Sequence, residues 1–568
     1  MQRKFQFMFQ KLSWVMTCTV LISALAFITA CSSSSNDPVL LPTGAVVNTE
    51  QGAVRGEEMQ TMHAFRGIPY AAAPVGDLRF APPEPAPDRA GTLDATQFGS
   101  ACPQMPGAFG AGSVNEDCLF LNIFTPKGEV ENLPVMVWIH GGAYISGSGA
   151  EDAYDATRLV AEDVILVTLN YRLGALGFLP HPALTAEAGQ SGNYGLMDQQ
   201  EALRWVQANI QSFGGDPTNV TIFGESAGGH SVLSHMAAAG NDGLFHRAIV
   251  QSGSYSAGQV SMTNGYYAFG RSFADIPGLP ANASAPCTGI SDPGDIRECL
   301  RSLTVEEVLT AQGSTWYVPV TGGIFLPQSI DAALDAGEIA DVPVMIGSNR
   351  HEGQLFVLLG FDRSSEDMSK WMIYSTPEEY QAGVNGVLPA IMNLDRNQIG
   401  ADYLAFADAQ LGLPPGVDHP NRFRVALSNL WTDYMFSCGN LKQWNQLSAH
   451  TPTYAYWFTD NAAPNAWDSP ALPIGATHTL EIQYVFGVVG ERGGSPDQEA
   501  LSAQLIDFWT QFAKTGNPSS SSTVWQEYTG SDSFVMKLDT PISGTDADEF
   551  DAAHQCSAYW AAPPLLER

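Results

Sequence analysis

One serine lies among small residues directly after a short apolar run. Residues 223–230 read FGESAGGH, with Ser226 between Gly224 and Gly228, and the residues just before them read VTI. Glycine and serine are common in tight turns, and G-x-S-x-G arises by chance in a chain with 55 glycines. The same spacing is typical of a nucleophile elbow, a strained strand-to-helix turn that exposes the serine hydroxyl. Such a hydroxyl needs a base, an orienting acid and donors for an oxyanion.

Short apolar runs alternate with amphipathic segments, and these elements would have to position the serine and its partners. Strands are predicted at residues 134–139, 164–169, 220–223, 248–250, 342–346 and 454–458. Their continuous hydrophobicity indicates burial on both faces, as in a parallel sheet. Residues 195–212 carry Leu196, Leu203, Val206 and Ile210 at helical spacing, which predicts a crossover helix. The repeated strand and helix pattern predicts a doubly wound α/β fold.

Two long stretches lack this regular succession of predicted strands. Residues from about 254 to 340 and from about 353 to 447 are predicted to form mainly helical insertions over the carboxyl edge of the sheet. No internal repeat and no long linker divides residues 41–568, so a single catalytic domain is predicted there.

The first 40 residues have the layout of an export signal and a tether. In residues 1–30, three basic residues precede an apolar stretch, which is typical of a signal peptide. A membrane span is the alternative, but serines and threonines interrupt the roughly 20 apolar residues that it needs. Residues 28–31 read ITAC and resemble the bacterial lipobox, which implies lipidation of Cys31. The serine-rich residues 31–40 would then tether a lipoprotein in the periplasm or at the cell surface; without lipidation the protein would be secreted.

Six cysteines remain beyond the predicted signal and lipid site. An even number in an exported chain favours disulfide bonds over free thiols. Their spacing suggests two local pairs and one long-range pair: Cys102–Cys118, Cys287–Cys299 and Cys438–Cys556. Six cysteines still permit about 15 different pairings, so the spacing leaves the connectivity open. No C-x-x-C motif or histidine-rich cluster indicates a metal site, and none is predicted.

The chain is strongly acidic, with a formal net charge of −33 at pH 7. Such a surface repels phosphate backbones and anionic lipid headgroups. Nucleic acid is therefore not expected as a partner, and contact with a membrane is expected only through a lipid at Cys31.

Several motifs in the same order resemble the type-B carboxylesterase and cholinesterase family of α/β-hydrolases, over about residues 45–560. They are FRGIPYA at 65–71, LRF at 78–80, EDCLFLN at 116–122, FGGDP at 213–217 and GESAGG at 224–229. The resemblance implies an α/β-hydrolase fold, in which helices flank a large, mostly parallel twisted sheet and helical insertions cover the active site. It also implies hydrolysis of small-molecule carboxylic esters without a cofactor.

In α/β-hydrolases the catalytic serine is followed along the chain by the acid and then the histidine. The histidines well after the serine are His351, His419, His450, His478 and His554. His478 lies in GATHTLEI, ahead of a Y-V-F-G run. The family's catalytic histidine precedes the same kind of E-I-x-x-V-F-G run, so the resemblance implies that His478 is the base. His554 beside Cys556 is expected to be structural, and His419 and His450 are expected in surface loops.

The acid is implied at Glu352, which follows a predicted strand in the pattern N-x-x-E-G that residues 349–353 reproduce. An isolated glutamate beside Arg350 would otherwise be interpreted as a solvated carboxylate. His351 is expected to point away from the site because it adjoins the acid. Glu225, beside the serine, is also typical of the family and is expected to act on the electrostatics and water network of the site.

The oxyanion donors are expected in the glycine-rich segment HGGAY at residues 140–144, directly after a predicted strand. The resemblance implies the backbone amides of Gly142 and Ala143, together with that of Ala227 after the nucleophile, with Gly141 as support. The family more commonly has H-G-G-G here. Alanine keeps its amide hydrogen, but its methyl group narrows the space for bulky alcohol groups, which puts hindered esters in doubt.

These residues predict a serine carboxylesterase with Ser226 as nucleophile, His478 as base and Glu352 as acid. The alternative is a catalytically silent surface binding or adhesion protein of the same fold. Choline esters are disfavoured, because cholinesterases hold the quaternary ammonium on a tryptophan of the first disulfide loop. Here Phe109 is the only aromatic residue of the 102–118 segment.

Overall fold

Sixteen strands form three sheets in the part of the chain that the structure describes. The computed structural model describes residues 45–107, 110–128, 130–255, 259–313, 315–359, 374–388, 394–414, 419, 421–465 and 475–560. The predicted signal, tether and lipid site and Phe109 lie outside them. The strands are β1 (Val46–Thr49), β2 (Gly52–Arg55), β3 (Glu57–Glu58), β4 (Met62–Pro69), β5 (Thr92–Asp94), β6 (Phe120–Pro126), β7 (Leu133–Ile139), β8 (Ile165–Leu169), β9 (Gly215–Glu225), β10 (Arg247–Gln251), β11 (Val260–Ser261), β12 (Val320–Thr321), β13 (Val344–Asn349), β14 (Thr453–Phe458), β15 (Phe534–Leu538) and β16 (Ser543–Asp546).

The main sheet has the order β16-β15-β14-β13-β10-β9-β7-β8-β6-β4-β3. Its centre, from β8 to β15, is parallel throughout, and the pairings outside it are antiparallel. All six strands predicted from the sequence lie in this parallel centre. The prediction of a large, mostly parallel α/β sheet is therefore confirmed, and the antiparallel strands at its two edges are additions to it.

Strand β7 illustrates why these sequences are apolar without a break. Val135, Val137 and Ile139 belong to the hydrophobic core on one face of the sheet, and Met136 and Trp138 belong to the core on the other. Successive side chains of a strand point to opposite faces, so a strand covered on both sides needs apolar residues at every position. Burial on both faces fixes the register of the strands, and the register in turn fixes where the loops that follow these strands begin.

Helices cover both faces of the sheet. In the described residues they are α1 (Thr157–Val160), α2 (Gly174–Phe178), α3 (Pro182–Ala188), α4 (Tyr194–Asn209), α5 (Ala227–Ala237), α6 (Met262–Ala268), α7 (Pro293–Ser302), α8 (Val305–Gln312), α9 (Ile330–Ala336), α10 (Gly353–Leu359), α11 (Pro377–Val387), α12 (Arg396–Gln410), α13 (Arg422–Thr432), α14 (Cys438–Ser448), α15 (Ile482–Val485), α16 (Pro496–Thr515), α17 (Ala547–His554) and α18 (Cys556–Tyr559). The predicted crossover helix is α4, which continues as a 3-10 turn over Ile210–Phe213. Among these helices none combines the length and apolar character of a membrane span.

Three disulfide bonds join the six later cysteines. The short loops Cys102–Cys118 and Cys287–Cys299 span 16 and 12 residues, and Cys438–Cys556 spans 118. The last bond joins α14 to α18 and so connects the helical insertion to the end of the described chain. Disulfide bonds of this kind are typical of proteins outside the reducing cytosol.

Candidate active site

Ser226 lies at the turn from β9 to α5, where the backbone is strained. Its φ and ψ are 58° and −123°, in a region that residues with a side chain rarely adopt. Such a conformation costs about 1–3 kcal/mol and persists only where the surroundings fix it. Here the amide of Ser226 donates to the carbonyl of Gln251 at 2.8 Å, and the amide of His230 donates to the Ser226 carbonyl at 2.9 Å. This is the strained strand-to-helix turn that the sequence predicts.

The two glycines of the motif permit the crossing of strand and helix at this turn. A Cβ atom on Gly228 would lie 1.9 Å from the carbonyl oxygen of Ile139, at the end of β7. A Cβ atom on Gly224 would lie 2.6 Å from the carbonyl carbon of Gly228. Any larger residue would push α5 away from the sheet and move the serine with it.

Glu352, His478 and Ser226 form a continuous hydrogen-bonded chain. Nε2 of His478 lies 2.8 Å from Oγ of Ser226, and Nδ1 lies 2.5 Å from Oε2 of Glu352. The three residues are far apart in sequence, by 252 and 126 positions. They meet because β9 and β13 end at the same edge of the sheet, and the loop that carries His478 follows β14 at that edge. All three side chains are buried, at 6%, 3% and 0% exposure for the serine, histidine and glutamate.

Glu352 is held in place from its other oxygen. Oε1 accepts a hydrogen bond from the hydroxyl of Ser252 at 2.5 Å and another from the amide of Asn349 at 2.7 Å. Donors on Oε1 leave Oε2 aimed at the imidazole. The arrangement fixes the orientation of His478 and its tautomer, with the proton on Nδ1.

The other histidines that follow the serine take no part in this chain. Nδ1 of His554 lies 2.9 Å from Oδ1 of Asp433, in a buried contact between α17 and the start of the π-helical turn before α14. Burial lowers the pKa of His351 to about 4, and the nearby Arg350 adds to this effect. His450 is exposed after the end of α14.

Most of the chain matches one protein family, and solved esterase structures are similar to it. The model of the Carboxylesterase family matches residues 43–559. The chain belongs to the carboxylesterase family. It is 33% identical over 545 residues to an acetylcholinesterase from Bungarus fasciatus, covering 90% of this chain and 85% of the relative. A thermophilic PNB esterase superposes with a TM-score of 0.71 at 31% identity, over 90% of this chain and 99% of that one. A second PNB esterase structure gives 0.69 at 31% identity, over 90% and 100%.

Membership of the carboxylesterase family, with esterases as structural neighbours, makes the protein a carboxylic ester hydrolase of α/β-hydrolase fold. The family resemblance in the sequence motifs is thus confirmed. The family also implies that the substrates are small-molecule esters.

Two further carboxylates surround the imidazole of this carboxylesterase site. Oε1 of Glu225 lies 3.2 Å from Nε2 of His478, and Glu481 accepts hydrogen bonds from the side chains of Asn349 and Gln251. Burial lowers the pKa of His478, but the nearby charges of Glu225 and Glu352 outweigh it and raise the pKa to about 9. Burial raises the pKa of Glu225 well above its usual range, and the pKa of Glu481 is raised for the same reason. These raised pKa values favour retention of a proton within this group of side chains at neutral pH.

The segment predicted to supply oxyanion donors is a tight turn after β7. Gly142, Ala143 and Tyr144 have φ values of 103°, 54° and 60°, so three consecutive residues adopt the left-handed region. A Cβ atom on Gly142 would lie 2.0 Å from the carbonyl oxygen of Ser146, which excludes a side chain there. A Cβ atom on Gly141 would lie 2.9 Å from Oε2 of Glu225. The turn is therefore packed directly against the residues around the nucleophile.

The side chain of His140 stabilises this turn. Its ring stacks on Tyr171 with centroids 4.5 Å apart, and the Tyr171 hydroxyl donates to the His140 carbonyl at 2.9 Å. Nδ1 of His140 lies 2.8 Å from the carbonyl oxygen of Gly141, which makes it the donor. Burial lowers the pKa of His140 to about 4, so the ring stays neutral.

Aromatic rings form one wall around the imidazole. Phe356 on α10 and Phe436 before α14 lie 5.1 and 4.8 Å from the His478 ring, centroid to centroid. Phe436 also contacts the ring of Tyr255 edge-on at 5.4 Å. These residues come from the insertions between sheet strands, and they form an apolar surface beside the imidazole.

Several residues of the site are not evident from the sequence pattern. Ser252, which holds Glu352, follows the end of β10, and a polar residue at the carboxyl end of a parallel strand is the signal that could have indicated it. Glu481 stands three residues after His478 in the same quoted motif, but nothing in its spacing indicates burial. Tyr255 lies in a segment without periodicity, and no sequence signal connects it with the serine.

Proposed function

We propose that the protein is a serine carboxylesterase that works through an acyl-enzyme. Ser226 Oγ attacks the ester carbonyl carbon while His478 takes the hydroxyl proton on Nε2. The carbonyl oxygen becomes an oxyanion, which the amides of Gly142, Ala143 and Ala227 stabilise. His478 then returns the proton to the alcohol oxygen as the bond from carbon to that oxygen breaks.

The second half of the reaction repeats these steps with water. His478 takes a proton from water, and the resulting hydroxide attacks the acyl carbon. The electron pair of the acyl–oxygen bond returns to Oγ, His478 reprotonates it, and the carboxylic acid leaves. Glu352 accepts the hydrogen bond from Nδ1 of His478 and orients the imidazole in both halves. None of the steps calls for a cofactor.

The observation that carries this proposal is the hydrogen-bonded chain of the site. The distance of 2.8 Å allows proton transfer from Ser226 to His478 without rearrangement, and the contact of 2.5 Å with Glu352 holds the imidazole in position for it. The family membership supports the reaction class independently of this geometry.

The test compares hydrolysis of p-nitrophenyl acetate by the wild-type protein and by Ser226→Ala. Loss of the nucleophile is expected to lower kcat by about 10⁴–10⁶-fold. Ser234→Ala is the matched control: Ser234 lies on the same helix, and its hydroxyl donates to the carbonyl of His230 at 2.8 Å. The control is expected to keep its activity. Equal inactivity of the wild type and Ser226→Ala would favour the silent binding protein instead.

We propose uncharged esters of modest size, rather than choline esters, as substrates. The support is the 102–118 segment, which lacks a tryptophan. The wild-type protein should therefore prefer p-nitrophenyl acetate to acetylthiocholine in kcat/KM. A preference for the choline ester would refute this assignment.

The methyl group of Ala143 should restrict bulky alcohol groups. Esters of tertiary alcohols are expected to be poor substrates, because the methyl group adjoins the oxyanion turn. Ala143→Gly should raise their kcat/KM relative to that of primary esters. If Ala143→Gly leaves the ratio of kcat/KM between tertiary and primary esters unchanged, residues other than Ala143 limit the space for the alcohol group.

We also propose export with a lipid anchor at Cys31. The disulfide bonds and the acetylcholinesterase relative are consistent with an extracellular protein. Intact-mass analysis of protein made in a bacterial host should show diacylglyceryl on Cys31 after cleavage of residues 1–30. A mature chain that begins elsewhere without lipid would refute the anchor.

A further inference from the structure

The hydroxyl of Tyr255 contacts the nucleophile, although the mechanism above gives it no role. Its oxygen lies 2.6 Å from Oγ of Ser226, while Nε2 of His478 lies 2.8 Å from the same oxygen. Two different side chains therefore form hydrogen bonds with the atom that attacks the ester.

The positions of the protons in the site decide which hydroxyl, that of Tyr255 or that of Ser226, donates the hydrogen bond. In the form that acts as the base, the imidazole of His478 has one proton, on Nδ1, which faces Glu352, so its Nε2 accepts the hydroxyl proton of Ser226. A serine has a single hydroxyl proton. Tyr255 is therefore the donor, and a lone pair of Oγ is the acceptor.

The ring of Tyr255 is fixed by packing on both sides. It stacks on His230 of α5 with centroids 5.1 Å apart and an interplanar angle of 29°, and it contacts Phe436 at 72°. His230 is held in turn, because its Nδ1 donates to the carbonyl of Gly253 at 3.1 Å. The phenol is therefore held against Oγ by its neighbours.

The backbone that carries Tyr255 is equally constrained. A Cβ atom on Gly253 would lie 2.3 Å from the carbonyl carbon of Gly229, so this segment packs tightly on α5. The hydroxyl of Ser254 donates to Oδ1 of Asn440 on α14 at 3.0 Å. The segment after β10 is thus fixed both to the helix behind the nucleophile and to the insertion that carries the aromatic wall.

The phenol remains protonated under working conditions. Burial raises the pKa of Tyr255 well above its usual range, and the hydrogen bond to Ser226 only partly offsets this effect. The group therefore acts as a hydrogen-bond donor at any working pH and cannot serve as the base.

We propose that Tyr255 is a further catalytic residue, which donates to Oγ and promotes deacylation more than acylation. This inference rests on the proposed serine mechanism. In the acyl-enzyme Oγ is an ester oxygen, and a donor there withdraws electrons from the acyl carbon that water attacks. When the bond between carbon and Oγ breaks, the electron pair returns to Oγ, and the phenol stabilises the growing charge until His478 delivers the proton.

Acylation gains less from the same donor. In the free enzyme the phenol already forms a hydrogen bond with Oγ, so that bond stabilises the ground state as well as the transition state. Only an interaction that is stronger in the transition state accelerates a step. An ester oxygen is a weaker acceptor than a hydroxyl, and for that reason the increase in hydrogen-bond strength is larger in deacylation.

Tyr255→Phe tests the proposal, because it removes the hydroxyl and keeps the ring that packs on His230 and Phe436. Stopped-flow release of p-nitrophenol from p-nitrophenyl acetate separates the burst, which reports acylation, from the steady state, which reports deacylation. We expect the deacylation rate constant to fall by about 10- to 100-fold, the loss typical of one hydrogen bond to a charged group. Because acyl-enzyme accumulates, kcat and KM should fall together, with kcat/KM within about threefold of the wild-type value.

Tyr380→Phe is the matched control, because its buried hydroxyl donates to the carbonyl of Gly400 at 2.7 Å within the helical insertion. It should leave both phases unchanged. An unchanged deacylation rate in Tyr255→Phe would overturn the proposal, as would an equal loss in acylation and deacylation, which a purely structural role predicts. If Ser226→Ala hydrolyses the ester as fast as the wild type, the serine mechanism itself fails, and this inference fails with it. If acylation limits the wild type and no burst is seen, the slower deacylation of Tyr255→Phe should make a burst appear.

Discussion

Replacing Glu225 by glutamine should shift the pH dependence of catalysis toward acid. Its carboxylate lies 3.2 Å from Nε2 of His478, and both side chains are almost completely buried. The base acts only when it is unprotonated, so kcat/KM should rise with pH until the retained proton leaves. With the pKa of His478 raised to about 9, most of the imidazole is protonated at neutral pH.

The magnitude follows from the charge that the substitution removes. Two unit charges at this distance attract by about 5 kcal/mol at an effective dielectric constant of about 20, which is an upper bound for a coupled pair. A shift of one pKa unit corresponds to about 1.4 kcal/mol. Glu225→Gln should therefore lower the midpoint of the acid limb by about one to three pH units. Because the pKa of Glu225 is also raised, the acid limb of the pH profile reports the joint titration of Glu225 and His478.

The assay is kcat/KM for p-nitrophenyl acetate from acid through neutral to alkaline pH, so that it spans the wild-type midpoint, measured for wild type, Glu225→Gln and Glu481→Gln. Glu481 also raises the pKa of His478, but it contributes less than Glu225 and is the matched comparison. Its substitution should give a smaller shift in the same direction. The plateau of Glu225→Gln should be lower than that of the wild type, because the imidazolium that forms in the transition state loses a neighbouring anion. An acid limb that stays in place, or moves to higher pH, would refute this electrostatic reasoning.

Two further predictions concern the scaffold of the site. Gly228→Ala would place a methyl carbon 1.9 Å from the carbonyl oxygen of Ile139, so activity toward p-nitrophenyl acetate should be lost, whereas Gly386→Ala, with open space around the added atom, should keep full activity. Equal activities of the two variants would show that the helix can shift without cost. Removing the disulfide with Cys438→Ala and Cys556→Ala, which opens a loop of 118 residues, should lower the free energy of unfolding by about 4–5 kcal/mol. Urea unfolding under non-reducing conditions measures the loss, and a midpoint equal to that of the intact protein would contradict the chain-entropy estimate.

The sequence predicts the centre of the fold well because burial on both faces of a sheet leaves a simple pattern. The run at 134–139 is apolar throughout, the run at 164–169 has Thr168 as its only polar residue, and both lie in the parallel centre of the sheet. The antiparallel strands β4 and β6 interrupt their apolar residues with polar ones, such as Arg66 and Asn122, and were not predicted. Asn122 is buried and accepts the amide hydrogen of Gly67, at an irregularity between these strands. When the polar residues of a strand are there to make a specific contact, the strand shows neither a continuous apolar run nor a regular apolar–polar alternation, and the sequence pattern does not predict it.

From the sequence alone, local chemistry and family motifs predict the elbow, the acid and the histidine. The turn at Ser226 requires small neighbouring residues, and this steric requirement is visible in the sequence as the glycines next to the serine. The tertiary structure alone decided which groups surround them. Tyr255, Ser252 and Glu481 acquire their relation to the imidazole only because separate strands end at one edge of the sheet. Hydrogen bonds and charge interactions depend on distances of a few ångströms in space, and residue spacing along the chain does not encode those distances.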